Sequence, residues 1–364
     1  MELRDFVNDV KLLGKAGTKI TLLANNNPLA DLLKNQEYDY LRTNKHLGKN
    51  IALLTVGGSH SYGTNVSTDN HVSDFDLRGV FTHSKEEILT MNCLDKPLVN
   101  RDLDVSIYPM KQFIDLLSKC NPNVIELLGT RDSDIFVLDD VGKMLRDNVD
   151  LFLTKRAYYS FGGYANQQLR RLQNALIKEA PKDLKDEHVL KTVLHSSMLI
   201  REKYSYLDEN GIIDFYIDEN DSKESEYNRE VFININIDKV PFSQLKSFFS
   251  EIDNVIKGFN DLNHRNRKKD ESALYKHAMH LIRLDREGIE ILRGEGINTY
   301  REKDRDFLLD IRNKKYSFEE LFEISNELEK KLKEAFNNSK IIDKPDFDKV
   351  NKLLFNINEI VLSR

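Results

Sequence analysis

The chain has 364 residues, 40% hydrophobic and 31% charged, and no apolar run approaches the roughly 20 residues of a membrane-spanning helix. Its 54 Lys and Arg against 60 Asp and Glu leave a net charge of −6, which argues against coating nucleic acid by bulk charge but allows a local basic groove. Cys93 and Cys120 form no CxxC or Cys/His pattern, so neither a disulfide scaffold nor a structural zinc site is supported.

In chain order, Met1 to Lys11 mixes acidic, basic and apolar residues, so no secretory leader is expected and a cytoplasmic location without a membrane partner is. Residues 27–48 carry Leu33, Tyr38 and Leu41 at helical spacing and predict an amphipathic helix. Ile51 to Val56 is a continuous apolar run stopped by Gly57-Gly58, the pattern of a strand buried on both faces. A polar loop from Ser59 to Ser73 leads to Asp74-Phe-Asp-Leu-Arg-Gly-Val-Phe81, whose alternation predicts a strand with Asp74, Asp76 and Arg78 on one face. Asp102 to Tyr108 alternates too, with Leu103, Val105 and Ile107 on one face and Asp102, Asp104, Ser106 and Tyr108 on the other.

From Lys111 the period becomes helical, interrupted at Asn121-Pro122. Helical spacing over Tyr158 to Lys178, His188 to Tyr206, Phe242 to Phe259, Ala273 to Arg293, Phe318 to Phe336 and Phe347 to Leu362 makes the second half mostly helical. An acidic, polar insertion at 207–240 includes the alternating run Val231 to Ile237, read as a strand or hairpin. The expectation is an α+β protein: a mixed-sheet domain over 1–150 and a mostly helical domain over 151–364.

Two aspartates at i and i+2 present their carboxylates side by side, an arrangement that calls for a cation. Mg²⁺ is the natural ion, since it takes one or two protein carboxylates and completes its shell with water and substrate phosphate. A glycine turn followed by a serine, as at Gly58 and Ser59, lets backbone N–H groups approach such a phosphate. Arg78, on the face of the aspartates, could contact phosphate or neutralise the acidic cluster. Lys276, His280, Arg283 and Glu287 lie at i, i+4, i+7 and i+11, a charged stripe whose ordinary reading is a solvated face. Arg170-Arg171 and Arg265 to Lys269 read as solvated charge, with an acceptor groove the sharper alternative.

Gly58-Ser59, Asp74-Phe-Asp76 and a later strand aspartate resemble the signature of the DNA polymerase β-like nucleotidyltransferase superfamily. Gly58-Ser-His-Ser-Tyr-Gly-Thr64, Ser73-Asp-Phe-Asp-Leu-Arg-Gly79 and Asn121-Pro-Asn-Val-Ile-Glu-Leu-Leu128 are similar to a bacterial and phage branch of predicted nucleotidyltransferases, as are Lys276-His-Ala-Met-His-Leu-Ile-Arg283 and Gly288 to Arg293. The resemblance implies two Mg²⁺ ions, with Mn²⁺ a substitute, on Asp74, Asp76 and a third carboxylate. Asp104 matches the family position for that ligand, with Asp102 the alternative on the same face. It implies Gly58 and Ser59 on the β- and γ-phosphates and Lys276 reaching the triphosphate. The implied reaction moves an NMP from an NTP, ATP being the expected donor, to an acceptor hydroxyl on RNA, a protein or a small molecule. A non-catalytic nucleotide sensor is the reading of another class. The segment between Ser59 and Asp74 departs from that branch in being longer, through extra residues around 69–72.

Overall fold

The computed structural model describes residues 33–68, 71–176, 213–219, 229–235, 242–244, 246, 249–250, 252–253 and 271–364. The helix predicted over 188–206, the basic run at 265–269 and the N-terminal residues before 33 lie outside the described residues. The chain divides into two compact units, one of Met1–Gln168 with Ala278–Arg364 and one of Leu169–His277. Among the described residues no helix is long and apolar enough to cross a membrane.

The first unit is built on a five-stranded mixed sheet: β1 (Ile51–Val56), β2 (Leu77–Phe81), β3 (Leu98–Asn100), β4 (Val105–Pro109) and β5 (Ile135–Leu138), in the spatial order β3-β4-β2-β1-β5. Every residue of β1 is buried, as its unbroken apolar run predicts for a central strand. It runs antiparallel to both neighbours, while β2 and β4 are parallel. Helix α1 (Gly58–Tyr62) follows β1, α2 (Lys85–Leu89) follows β2, and α3 (Met110–Ser118) and α4 (Pro122–Leu128) follow β4. Asn121 caps α4 with Pro122 at its first position, so the Asn-Pro pair read as an interruption is a helix start. Helix α5 (Asp140–Asp147) comes so near β1 that a Cβ on Gly142 would overlap the Ala52 carbonyl.

Leu33, Tyr38, Leu41 and Leu47 pack with Leu77, Phe81, Val105 and Ile107 in one buried cluster. Tyr38 and Leu41 do so from short turns, a 3-10 turn at Gln36–Tyr38 and one helical turn at Tyr40–Thr43, rather than from the single helix predicted. Asn35 and Asn44 adopt extended backbone at either end, where asparagine side chains compete with helical hydrogen bonding. Strands β3 and β5 were not anticipated by the sequence reading.

Helices α6 (Arg156–Leu176), α7 (Glu271–Leu292), α8 (Arg305–Arg312), α9 (Phe318–Asn338) and α10 (Phe347–Ser363) make the rest of the described chain predominantly helical. The α+β class expected from sequence is thus what the chain forms. In the second unit β6 (Ile213–Glu219) and β7 (Arg229–Ile235) pair as an antiparallel hairpin, the hairpin alternative read for the polar insertion.

Candidate active site

The sheet topology brings three chain segments to one edge. Because β1 is antiparallel to β2 and β2 is parallel to β4, the C-terminal end of β1 meets the N-terminal ends of the other two. The register is continuous: Val56 lies opposite Leu77, and Leu77 opposite Val105. The residues one step beyond, Gly57, Asp76 and Asp104, therefore fall in a row. Hydrogen bonds join that row, from Gly57 N–H to the Asp76 carbonyl at 2.8 Å and from Leu77 N–H to the Asp104 carbonyl at 3.0 Å.

The glycines are dictated by this contact. A Cβ on Gly58 would overlap the Asp76 carboxylate, and its φ of +59° lies in the left-handed region that costs other residues about 1 to 2 kcal/mol. A Cβ on Gly57 would stand 2.7 Å from Arg78 Cγ. Gly58→Ala is accordingly expected to push the Asp76 carboxylate aside, lowering stability by about 1 to 3 kcal/mol and removing whatever reaction Asp76 serves. Chemical denaturation with an activity assay on the same preparation would check both; unchanged activity would mean that the Gly58–Asp76 packing is dispensable.

Asp76 is half-buried and lies 3.5 Å from the Arg78 guanidinium. Burial alone would lower the Arg78 pKa, but Asp76, then Tyr108, Tyr62 and Glu126, hold it above the usual arginine range. Arg78 thus stays charged beside Asp76. Asp74 is exposed, two residues before Asp76. Both precede β2 instead of lying on it, so the alternation predicted from Asp74 begins later. Asp102 and Asp104 likewise fall in the turn before β4. Asp104 is exposed with φ +48°, a conformation that aspartate tolerates better than most residues. Ser59 is buried within α1. Lys276 lies on α7 in the second compact unit.

Behind the Gly57-Gly58 turn is a cavity of about 40 Å³, lined by Thr55, Arg78, Tyr62, Glu126, Asn123 and Thr299 among others, with space for a few waters. Its floor is a buried ionic network. Glu126 accepts hydrogen bonds from the Tyr62 hydroxyl and from Arg283 Nη1, both at 2.7 Å, and Arg283 Nη1 also donates to Glu287 at 2.6 Å. The Arg283 guanidinium sits 3.7 Å above the Tyr62 ring, within cation–π range. Arg283 and Glu287 are 3% and 0% exposed, which corrects the reading of that half of the stripe as solvated surface. His280 is half-buried with its ring edge-on to Tyr62.

Here one arginine serves two carboxylates. Burial, then repulsion from Glu126, pushes Glu287 well above the usual carboxylate range, so it keeps its proton. Burial opposes the charge on Arg283 too, but Glu126, Tyr62 and Glu287 together hold its pKa above the usual arginine range. The network fixes Tyr62, the last residue of α1, and so anchors the short helix that begins at Gly58.

The description "RNA repair pathway DNA polymerase beta family" belongs to a family model that matches residues 33–205. Over residues 33–205 the chain is similar to the DNA polymerase β-like nucleotidyltransferases. The matched segment spans the glycine turn, Asp74, Asp76, Asp104 and Glu126. No curated protein and no solved structure matches the chain.

Polymerase β-like nucleotidyltransferases generally use divalent metals. Among the described residues no group of three or more His, Cys, Asp and Glu forms a ready cage. The donor set nevertheless fits such an ion, because Mg²⁺ is ordinarily held by one or two hard carboxylates with water and substrate phosphate. Asp74 and Asp76 can supply these on the segment before β2.

Two groups beside this candidate site were missed by sequence reasoning. Arg305 Nε donates to the Gly63 carbonyl at 2.7 Å and Arg312 Nη1 to the Thr64 carbonyl at 3.1 Å, bracing the loop after α1 from α8. Partners 242 and 248 residues apart leave no local signal. Glu126 lay within a motif noted only for its resemblance. The Arg283–Glu287 pair offered only its i,i+4 spacing, which a solvated stripe shares.

Proposed function

We propose that the protein transfers an NMP from an NTP, with ATP the expected donor, to an acceptor hydroxyl at an RNA 3′ end, releasing pyrophosphate. The observation that carries this reading is the register placing Gly57-Gly58, Asp76 and Asp104 in one row across three strands. In that arrangement a phosphate-approaching turn and two carboxylates face the same substrate. The RNA acceptor is favoured by the description of the matched family, an RNA repair pathway family.

Asp74, Asp76 and Asp104 would hold two Mg²⁺ ions, with Mn²⁺ able to replace them. When bound, such ions neutralise phosphate charge and lower the pKa of a coordinated hydroxyl. The chain's own groups do the rest. Gly58 and Ser59 bind the β- and γ-phosphates through backbone N–H groups and a hydroxyl. Arg78 stays protonated against Asp76 and offers its remaining N–H groups to phosphate. Asp104 accepts the proton of the acceptor hydroxyl as its oxygen bonds to the α-phosphorus, and the bond to the bridging oxygen breaks with pyrophosphate taking the electron pair. Positioning and charge neutralisation supply most of the rate.

Ligand-linked stabilisation tests the binding half of this reading. Mg²⁺ with ATP at about 100 times its Kd should add about 2.7 kcal/mol to folding stability, seen as a higher Tm than with either alone. A Tm unmoved by any of the four NTPs with Mg²⁺ would overturn it.

A further inference from the structure

Helix α8 carries two arginines, Arg305 and Arg312, seven residues apart on the face that meets the loop after α1. Each uses one nitrogen on a neutral backbone carbonyl. Arg305 also has Asp306 at 3.7 Å, but that carboxylate is 96% exposed and such a pair contributes little. Arg312 is half-buried, and among the described residues its contacts are the Thr64 carbonyl and the field of Asp74. A half-buried cation that hydrogen-bonds a neutral carbonyl retains donors for an anion. Its neighbour Asp74 is the carboxylate already assigned to a metal.

The place of Arg312 across the sheet selects the anion. The row at the sheet edge runs from Asp104 at β4, through Asp76 at β2, to Gly57 and Gly58 at β1. The acceptor hydroxyl belongs at the Asp104 end and the leaving phosphates at the Gly58 end. Thr64, which Arg312 holds, donates its own N–H to the Ser59 carbonyl at 2.9 Å. Arg312 is thus tied to the phosphate end and lies away from the acceptor.

We infer that Arg312 is a substrate-binding residue that takes the polyphosphate tail of the incoming nucleotide, closing the phosphate site opposite Gly58 and Ser59. The inference rests on the nucleotidyl-transfer reading above and adds a ligand that the glycine-serine motif does not contain. It predicts discrimination by phosphate number: a nucleoside monophosphate would not reach the guanidinium, whereas a triphosphate or bare tripolyphosphate would.

The test is calorimetric titration of the full chain with ATP, AMP and inorganic tripolyphosphate in Mg²⁺, for wild type, Arg312→Gln and Arg312→Lys. Loss of a charge-assisted contact predicts that Arg312→Gln weakens ATP and tripolyphosphate about tenfold and leaves AMP unchanged, with Arg312→Lys in between. Wild-type affinity for ATP in Arg312→Gln would overturn the assignment while leaving nucleotidyl transfer standing. Equal weakening of ATP and AMP would also overturn it, since that is the signature of a displaced loop. Failure of the wild type to bind ATP or tripolyphosphate would overturn the nucleotidyl-transfer reading itself, and this inference with it.

Discussion

Asp76→Asn is expected to lower nucleotidyl transfer by on the order of 10³-fold while the variant unfolds within about 1 kcal/mol of the wild type. The two outcomes separate because of where Asp76 sits. Its structural bond is made by its main-chain carbonyl, which accepts from Gly57 N–H, and the substitution leaves this intact. Its side chain is half-buried over Gly58 with Arg78 at 3.5 Å. An asparagine of the same shape can occupy that space and still accept from the guanidinium. What it cannot supply is the negative charge, and it leaves Arg78 without its carboxylate partner. The check is a rate measurement beside a urea titration of the same preparation. Undiminished transfer would remove Asp76 from the reaction.

Arg283→Met is expected to cost about 3 to 5 kcal/mol, the usual loss when one member of a buried ionic group is removed. Glu126 and Glu287 would then face each other in the core with no cation between them. The pH dependence follows from Glu287. Its folded pKa lies above the ordinary 4.5, so its stabilising contribution is complete below that value and is lost as pH rises through the raised pKa. Removing Arg283 leaves Glu126 buried without its cation, so folding of the variant must take up a further proton there, which costs more as pH rises. The deficit of the variant should therefore be smallest near pH 5 and grow toward pH 8. Adding Glu126→Gln and Glu287→Gln should recover much of the loss, because a fully neutral group of similar volume often replaces a buried ionic one without penalty. Equilibrium unfolding at several pH values measures this; a deficit independent of pH would show that packing, not charge, sets the cost.

Residues whose role is local were the legible ones. Ile51 to Val56 announces a central strand because burial on both faces admits only apolar side chains. Gly57-Gly58 and Asp74-Phe-Asp76 carry the site because one close approach and one charge pair each demand particular residue types. The row they form depends on the parallel pairing of β2 with β4, which no pattern within either segment encodes. Asp104 shows the limit of alternation, since a left-handed φ takes it off the strand to which period two assigned it. Arg283 and Glu287 show another limit: a charged stripe at helical spacing looks the same whether it meets water or a buried carboxylate 157 residues away. Arg312 was invisible for a related reason, its partner being a backbone carbonyl that any residue at position 64 would offer.

The most direct measurement is incubation of the purified protein with Mg²⁺, α-labelled ATP and RNA bearing a free 3′ hydroxyl, with Asp76→Asn in parallel. Label joined to the RNA 3′ end with release of pyrophosphate, and absent with the variant, is the predicted result. RNA left unlabelled by a protein that binds ATP and Mg²⁺, or labelled equally by Asp76→Asn, would contradict it.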